Sequence, residues 1–232
     1  MRKLLYLGVP VAFLVVGFYL WEGPPVYIGE PIDGWVVDAD TRMPLEGVVV
    51  VATWFKEAVW GFHPHTVGPV MVLEAVTDAH GHFRISGWGP TFRGWGAPEY
   101  DDPQLLLWKS RYDPRAVGNV FPASPWVIRR RSDWNWQVIE LTLYKGSLDT
   151  YARDIEDLDT TNIENIGFRG TCWFRNIPRT LVALEMEKHR LEGELHRRLF
   201  FGRSLDLPED PKTRANCGAG SIRAAVNGYI HG

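Results

Sequence analysis

What the chain lacks narrows its chemistry first. It contains no Gly-x-Ser-x-Gly elbow, no Ser-x-x-Lys pair and no His-Glu-x-x-His helix, so the sequence signs of serine and zinc hydrolysis are missing. A phosphate-cradling loop is missing too: the glycines between Gly87 and Gly96 alternate with Trp and Pro and lead into no helix. Basic charge is not in excess. The formal net charge is −3, whereas a nucleic-acid binder is normally clearly basic. No catalytic residue, cofactor or nucleic-acid partner is therefore expected. Cysteine is scarce, with Cys172 and Cys217 alone. In an oxidising compartment an even pair is expected to close a disulfide, whose loop of about 46 residues implies roughly 4 kcal/mol in the chain-entropy model. Two buried free thiols are the other reading.

What is present begins with strands. Apolar residues make up 45% of the 232-residue chain, enough to fill a core. Trp35-Val36-Val37 reads as a strand ended by the turn formers Asp38 to Thr41. Pro44 suits the start of the next strand. Val48 to Trp54 is an unbroken β-branched and aromatic run, as in a central strand covered on both faces. Val70 to Thr77 is a third strand, and Asp78-Ala79-His80-Gly81 a hairpin turn with Gly available for positive φ. Phe83 and Ile85 alternate with Arg84 and Ser86, which marks one buried face.

The residues Gly34, Val36, Asp38, Pro44, Leu45, Gly47, Val48, Val50, Thr77, Asp78, Gly81, Phe83 and Ile85 resemble the pattern of the carboxypeptidase regulatory-like domain family. Pro103 to Lys109 is similar to a further strand of such domains. The resemblance covers roughly half of the chain. It implies a mainly β, transthyretin-like or Ig-like β-sandwich and a non-catalytic module, since fold alone supplies no function.

Outside the sandwich, Arg2-Lys3 precedes eighteen uncharged residues, Leu4 to Trp21. As a helix this run is about 27 Å long, close to the hydrocarbon thickness. The flanking charges predict a cytoplasmic start with the bulk of the chain extracytoplasmic, on the periplasmic side. A cleaved signal peptide is the rival reading, and no cysteine near the end of the run supports a lipoprotein anchor. The expected organisation is an anchor over 1–21, a linker over 22–30, the sandwich over 31–145 and a helical extension over 146–232. Lys56 to Gly68, Gly87 to Asp102 and Tyr112 to Ser132 read as long connections, which tend to carry function. Trp136 to Tyr144 reads as the last strand. Leu148 to Ile166 is acidic without clear periodicity and reads as a connector. Pro178 to Phe200 has helical period, with Leu181, Leu184, Leu191, Leu195 and Leu199 on one stripe. Ser221 to Tyr229 is a short terminal helix candidate.

Candidate site residues fall into three groups. Trp88, Phe92, Trp95 and Tyr100 form either an aromatic platform for protein or glycan, or a cap on the open end of the sandwich. Arg129, Arg130 and Arg131 suit lipid headgroups or an acidic partner, or a solvated loop. Glu185, His189, Glu192 and His196 share a helical face and read as a solvated or docking stripe. A metal there would need ligands from other helices. The pairs His63/His65 and His80/His82 lack the third and fourth ligands of an ordinary metal site. The expectation is a membrane-anchored accessory or stabilising subunit that docks on a membrane or envelope protein complex. A carbohydrate-binding module using loop tryptophans is the alternative, and a histidine-based metalloenzyme stands third.

Overall fold

A computed structural model describes residues 26–60, 63–92, 97–98, 102–121, 124, 126–158, 172–199 and 215–218. The chain is mainly β. Its strands are β1 (Val26–Gly29), β2 (Ile32–Asp38), β3 (Val49–Trp60), β4 (His63–Val76), β5 (His82–Ile85), β6 (Trp88–Phe92), β7 (Ala97–Pro98), β8 (Gln104–Trp108), β9 (Arg115–Val117), β10 (Arg129–Arg130) and β11 (Gln137–Leu141). Among the described residues they are followed by α1 (Leu148–Leu158) and α2 (Pro178–Leu195), with a 3₁₀ turn at Trp173–Asn176 between them. The central sheet runs β4-β3-β8-β9, with β7 also on β3. Two three-stranded sheets, β11-β2-β5 and β10-β1-β6, complete the β framework.

The apolar run in β3 is buried on both faces, as its composition predicts. Val48, Val50, Ala52 and Trp54 join one core with Ile32, Val36, Phe83, Ile85, Leu105, Leu107, Ile139 and Leu141. The alternate residues Val49, Val51 and Phe55, with Val72, Leu106 and Trp108, join a second core made with the helices through Ile155, Phe174, Leu181, Leu184 and Leu191. Period-two alternation along β3 thus requires one cover on each side. The helical segment is the third layer of a β-sandwich-like fold, packed on the central sheet.

Several connections differ from expectation. Lys56 to Gly68 is not a loop: β3 and β4 stay paired from Val49↔Val76 out to Trp60↔His63, with irregularities beside Trp54 and Lys56. Pro64 and Pro69 are tolerated because β4 is an edge strand, where a missing donor breaks no second ladder. Asp78 to Gly81 is a tight turn, but it hands the chain from the central sheet to the sheet of β2 rather than pairing the strands it joins. Asp78 Oδ1 accepts the backbone N–H groups of His80 and His82 at 2.8 and 3.0 Å. Gly81 has φ +70°, and a Cβ there would lie 2.4 Å from the Val36 carbonyl. Leu148 to Leu158 is a regular helix. Its Tyr151, Ala152, Ile155 and Leu158 are buried, an i, i+1, i+4, i+7 stripe that interleaved acidic residues disguise, and Ser147 Oγ accepts the Thr150 N–H at 3.2 Å as its cap.

Cys172 and Cys217 form the expected disulfide, with Cα atoms 5.8 Å apart. Among the described residues no helix is long and apolar enough to cross a membrane. The expected anchor over 1–21, the connector beyond Leu158 and the terminal helix over 221–229 lie outside the described residues.

The start of α2 shows how the helical layer is fixed. Its N-cap residue, Ile177, has no side-chain cap to offer. Glu74 of β4 replaces it: its carboxylate accepts the N–H groups of Arg179 and Thr180 at 2.8 and 3.0 Å and the Thr180 hydroxyl at 2.9 Å. A negative group at a helix N-terminus also complements the macrodipole. Burial nonetheless raises the Glu74 carboxyl above its ordinary value of 4.5, outweighing those hydrogen bonds. Because the folded state binds this proton more tightly, the group adds stability below pH 4.5 and that contribution is lost as pH rises through the folded value. Glu74→Ala is expected to cost about 1–2 kcal/mol in urea unfolding at neutral pH. The stability gap between wild type and the non-titrating Glu74→Gln should widen in favour of wild type as pH falls towards 4.5; a flat gap across that range would contradict the raised carboxyl.

Candidate functional site

The most built-up polar arrangement lies where α2 crosses the ends of β3 and β8. In the leucine stripe of α2 the step from Leu184 to Leu191 skips one turn, and Glu187 occupies that turn, 3% exposed. A buried carboxylate requires partners. Ser110 Oγ donates to Glu187 Oε2 at 2.6 Å, and Arg190 donates to both oxygens at 3.0 and 2.5 Å while also reaching Glu194 at 2.8 Å. The nearby Tyr151 hydroxyl accepts the Arg111 N–H at 2.9 Å. Burial pushes the Glu187 carboxyl up, but the bonds from Arg190 and Ser110, the Arg190 charge and Tyr151 together hold it below the usual range. Burial raises the Tyr151 phenol. A carboxylate so thoroughly supplied with donors is a weak base towards Ser110, so the network acts as a clamp of α2 onto β8 and α1.

Beside the clamp runs a groove of about 350 Å³, lined by Gly47, Val49, Trp108, Lys109, Ser110, Ala183, Met186, Glu187 and Arg190. Ala183, Met186, Glu187 and Arg190 recur at three- and four-residue spacing, which puts them on one side of the helix. Met186 stands 68% exposed on its rim. Lys109 Nζ is tied to the Glu46 carbonyl at 2.6 Å. A second cleft, about 370 Å³, gathers Asp113, Asp154 and Asp157 over Leu106 and Leu158. Burial, then the charge of Asp154, raises the Asp113 carboxyl.

The sequence-predicted residues are not brought together into one site. Trp88 is buried, with its ring edge-on to Trp54 at 5.3 Å, and Gly29 exists to admit it: a Cβ at Gly29 would sit 2.0 Å from the indole. Trp88 is therefore core and not available for docking, which removes one of the two rings the glycan reading needed. Phe92 is exposed, whereas Trp95 and Tyr100 lie outside the described residues. The three arginines part company. Arg129 is exposed, and Arg131 is exposed with Glu30 at 3.1 Å. Arg130 is 1% exposed and pairs with Asp102, itself 1% exposed, so it is a structural ion pair and not a docking residue. His189 is exposed on α2 and Glu185 is half-buried, the two 3.2 Å apart, with Glu192 at 4.0 Å from the same ring. That stripe is an intrahelical ladder, and Glu192 also accepts the Leu199 N–H at 2.8 Å.

His82 Nε2 lies 3.3 Å from Asp33 and His80 is on the exposed turn, while the side chains of His63 and His65 are outside the described set. Among the described residues no group of three or more His, Cys, Asp or Glu side chains could hold a metal. Sequence reasoning missed Ser110, Glu187 and Arg190. The signal was there as an acidic residue in the turn that the leucine stripe skips.

Replacing Arg130 by Met should remove the guanidinium that pairs with the buried Asp102. The expected loss is about 3–5 kcal/mol of unfolding free energy. Replacing both partners by apolar residues should restore part of it, and a single variant as stable as wild type would show that the pair carries no structural load.

No family model matches the chain, and no curated protein does. Among solved structures it is similar to the dioxygenase domain of a dioxygenase carbohydrate-binding protein fusion from Streptomyces sp. SirexAA-E, at 15% identity over 53% of this chain and 82% of that one, with a TM-score of 0.28. A cohesin–X-dockerin complex from Acetivibrio cellulolyticus matches at 12% identity over 75% and 99%, TM-score 0.27. A 3-chlorocatechol 1,2-dioxygenase from Rhodococcus opacus 1CP matches at 16% identity over 54% and 62%, TM-score 0.26. Likenesses this distant support no reading of chemistry or partner.

Proposed function

We propose that the chain is a non-catalytic extracytoplasmic module of the transthyretin-like type, held to the membrane by residues 1–21, that docks as an accessory or stabilising subunit on a membrane or envelope protein complex. One observation carries the reading. The groove beside α2 has an apolar floor of Val49, Trp108 and Ala183, an exposed Met186 on its rim, and polar groups already locked into the Glu187 clamp. Preorganised walls lower the ordering cost of binding, and Met adapts its shape to a partner. The Cys172–Cys217 disulfide accords with an oxidising compartment.

Extraction of the full chain in mild detergent is expected to bring a stoichiometric partner with it. Met186→Asp should lower that recovery at least about tenfold, the equivalent of 1.4 kcal/mol, without moving thermal unfolding. Recovery of the wild-type chain alone, or of undiminished partner with Met186→Asp, would count against the reading.

A further inference from the structure

The small sheet β10-β1-β6 has an unusual end. β1 and β10 run parallel, with Ile28 opposite Arg129, and β6 runs antiparallel, with Val26 opposite Phe92. The start of β1, the start of β10 and the finish of β6 therefore share one end of the sheet. Large apolar side chains are exposed there. Phe92 is 62% exposed, and Trp126, Val127 and Ile128 immediately before β10 are 50, 42 and 46% exposed. The Ile28 N–H bonds the Ile128 carbonyl at 2.9 Å, which fixes that approach beside β1. Arg129 adds an exposed cation at this end.

Exposed apolar groups collected like this mark an interaction surface, and the chain itself says which. Val26, the first residue of β1, is five peptide steps from Trp21, where the eighteen-residue apolar run ends. At about 3.6 Å per residue those steps span at most about 18 Å. The headgroup layer of one leaflet is about 5–8 Å deep. An apolar run that crosses the bilayer thus keeps this end of the sheet within reach of the headgroups.

We propose that the exposed end of the β10-β1-β6 sheet seats on an anionic phospholipid surface. Phe92, Trp126 and Ile128 enter the boundary between headgroups and acyl chains, and Arg129 meets phosphate. Trp and Phe favour that boundary, and a basic residue at its edge gains from anionic lipid. The inference rests on the membrane-anchor reading of residues 1–21 and assigns the sandwich a fixed orientation, with this end down.

The test uses the full chain in lipid nanodiscs containing phosphatidylglycerol, with spin labels on Trp126→Cys, Ile128→Cys and, as a distant control, the exposed Met43→Cys; the native cysteines are already paired. Labels at 126 and 128 should collide more with oxygen than with an aqueous nickel chelate, and the control should show the reverse. Water-like accessibility at 126 and 128 would overturn the proposal, as would shielding found in native membranes but not in pure-lipid nanodiscs, which would assign the surface to a protein. Alkaline washing separates the two levels. A chain that resists extraction while its labels stay aqueous keeps the anchor and loses only the seating; a chain that washes off loses both.

Discussion

A strand that is apolar on both faces is the constraint on which the rest of this structure depends. Val48 to Trp54 presents Val48, Val50, Ala52 and Trp54 to one side and Val49 and Val51 to the other. Leaving either set in water costs about 25 cal/mol per Å² of apolar area. A two-sheet sandwich covers only one of them. The second cover comes from α1, the 3₁₀ turn and α2, and the polar devices at that junction follow from the need to hold helices there. Glu74 caps α2 from the sheet, Glu187 clamps its middle to β8, and the disulfide ties the turn before α2 to Cys217. Each is a long-range tie that replaces something the helix does not supply locally.

The same logic separates structural from available groups. Charged or aromatic residues that looked free in the sequence are consumed where burial demands partners: Arg130 by Asp102, Trp88 by Trp54 and Gly29. Among the described residues, exposed apolar groups include Met186 at the groove and Phe92 with Trp126 to Ile128 at the end of the β10-β1-β6 sheet.

Legibility from the sequence followed the range of the interactions. Short-range signals were readable: the Asp38 and Asp78 turns, where one carboxylate captures nearby N–H groups, the doubly buried run of β3, and the leucine stripe of α2. Signals that depend on distant partners were not. The β3–β4 extension past Lys56 is built from residues rich in Pro, Gly and His, whose pairing is set by the opposite strand and not by propensity. Helix α1 hides an ordinary buried stripe among Asp149, Asp154, Glu156 and Asp157. Arg130 reads as one of three equivalent arginines until the register of β10 against β1 places it inside. The clamp was the nearest miss, because an acid in a leucine stripe already announces a buried partner.

The two cores that share β3 join sandwich and helices into one cooperative unit. Native-state hydrogen exchange measures it most directly. The account predicts that the amides of Val50 and Ala52 in β3 and those of Leu184 and Leu191 in α2 exchange only through global unfolding, with a common free energy and a common dependence on denaturant. Exchange of the α2 amides through a separate opening of much lower free energy, with β3 still protected, would contradict it.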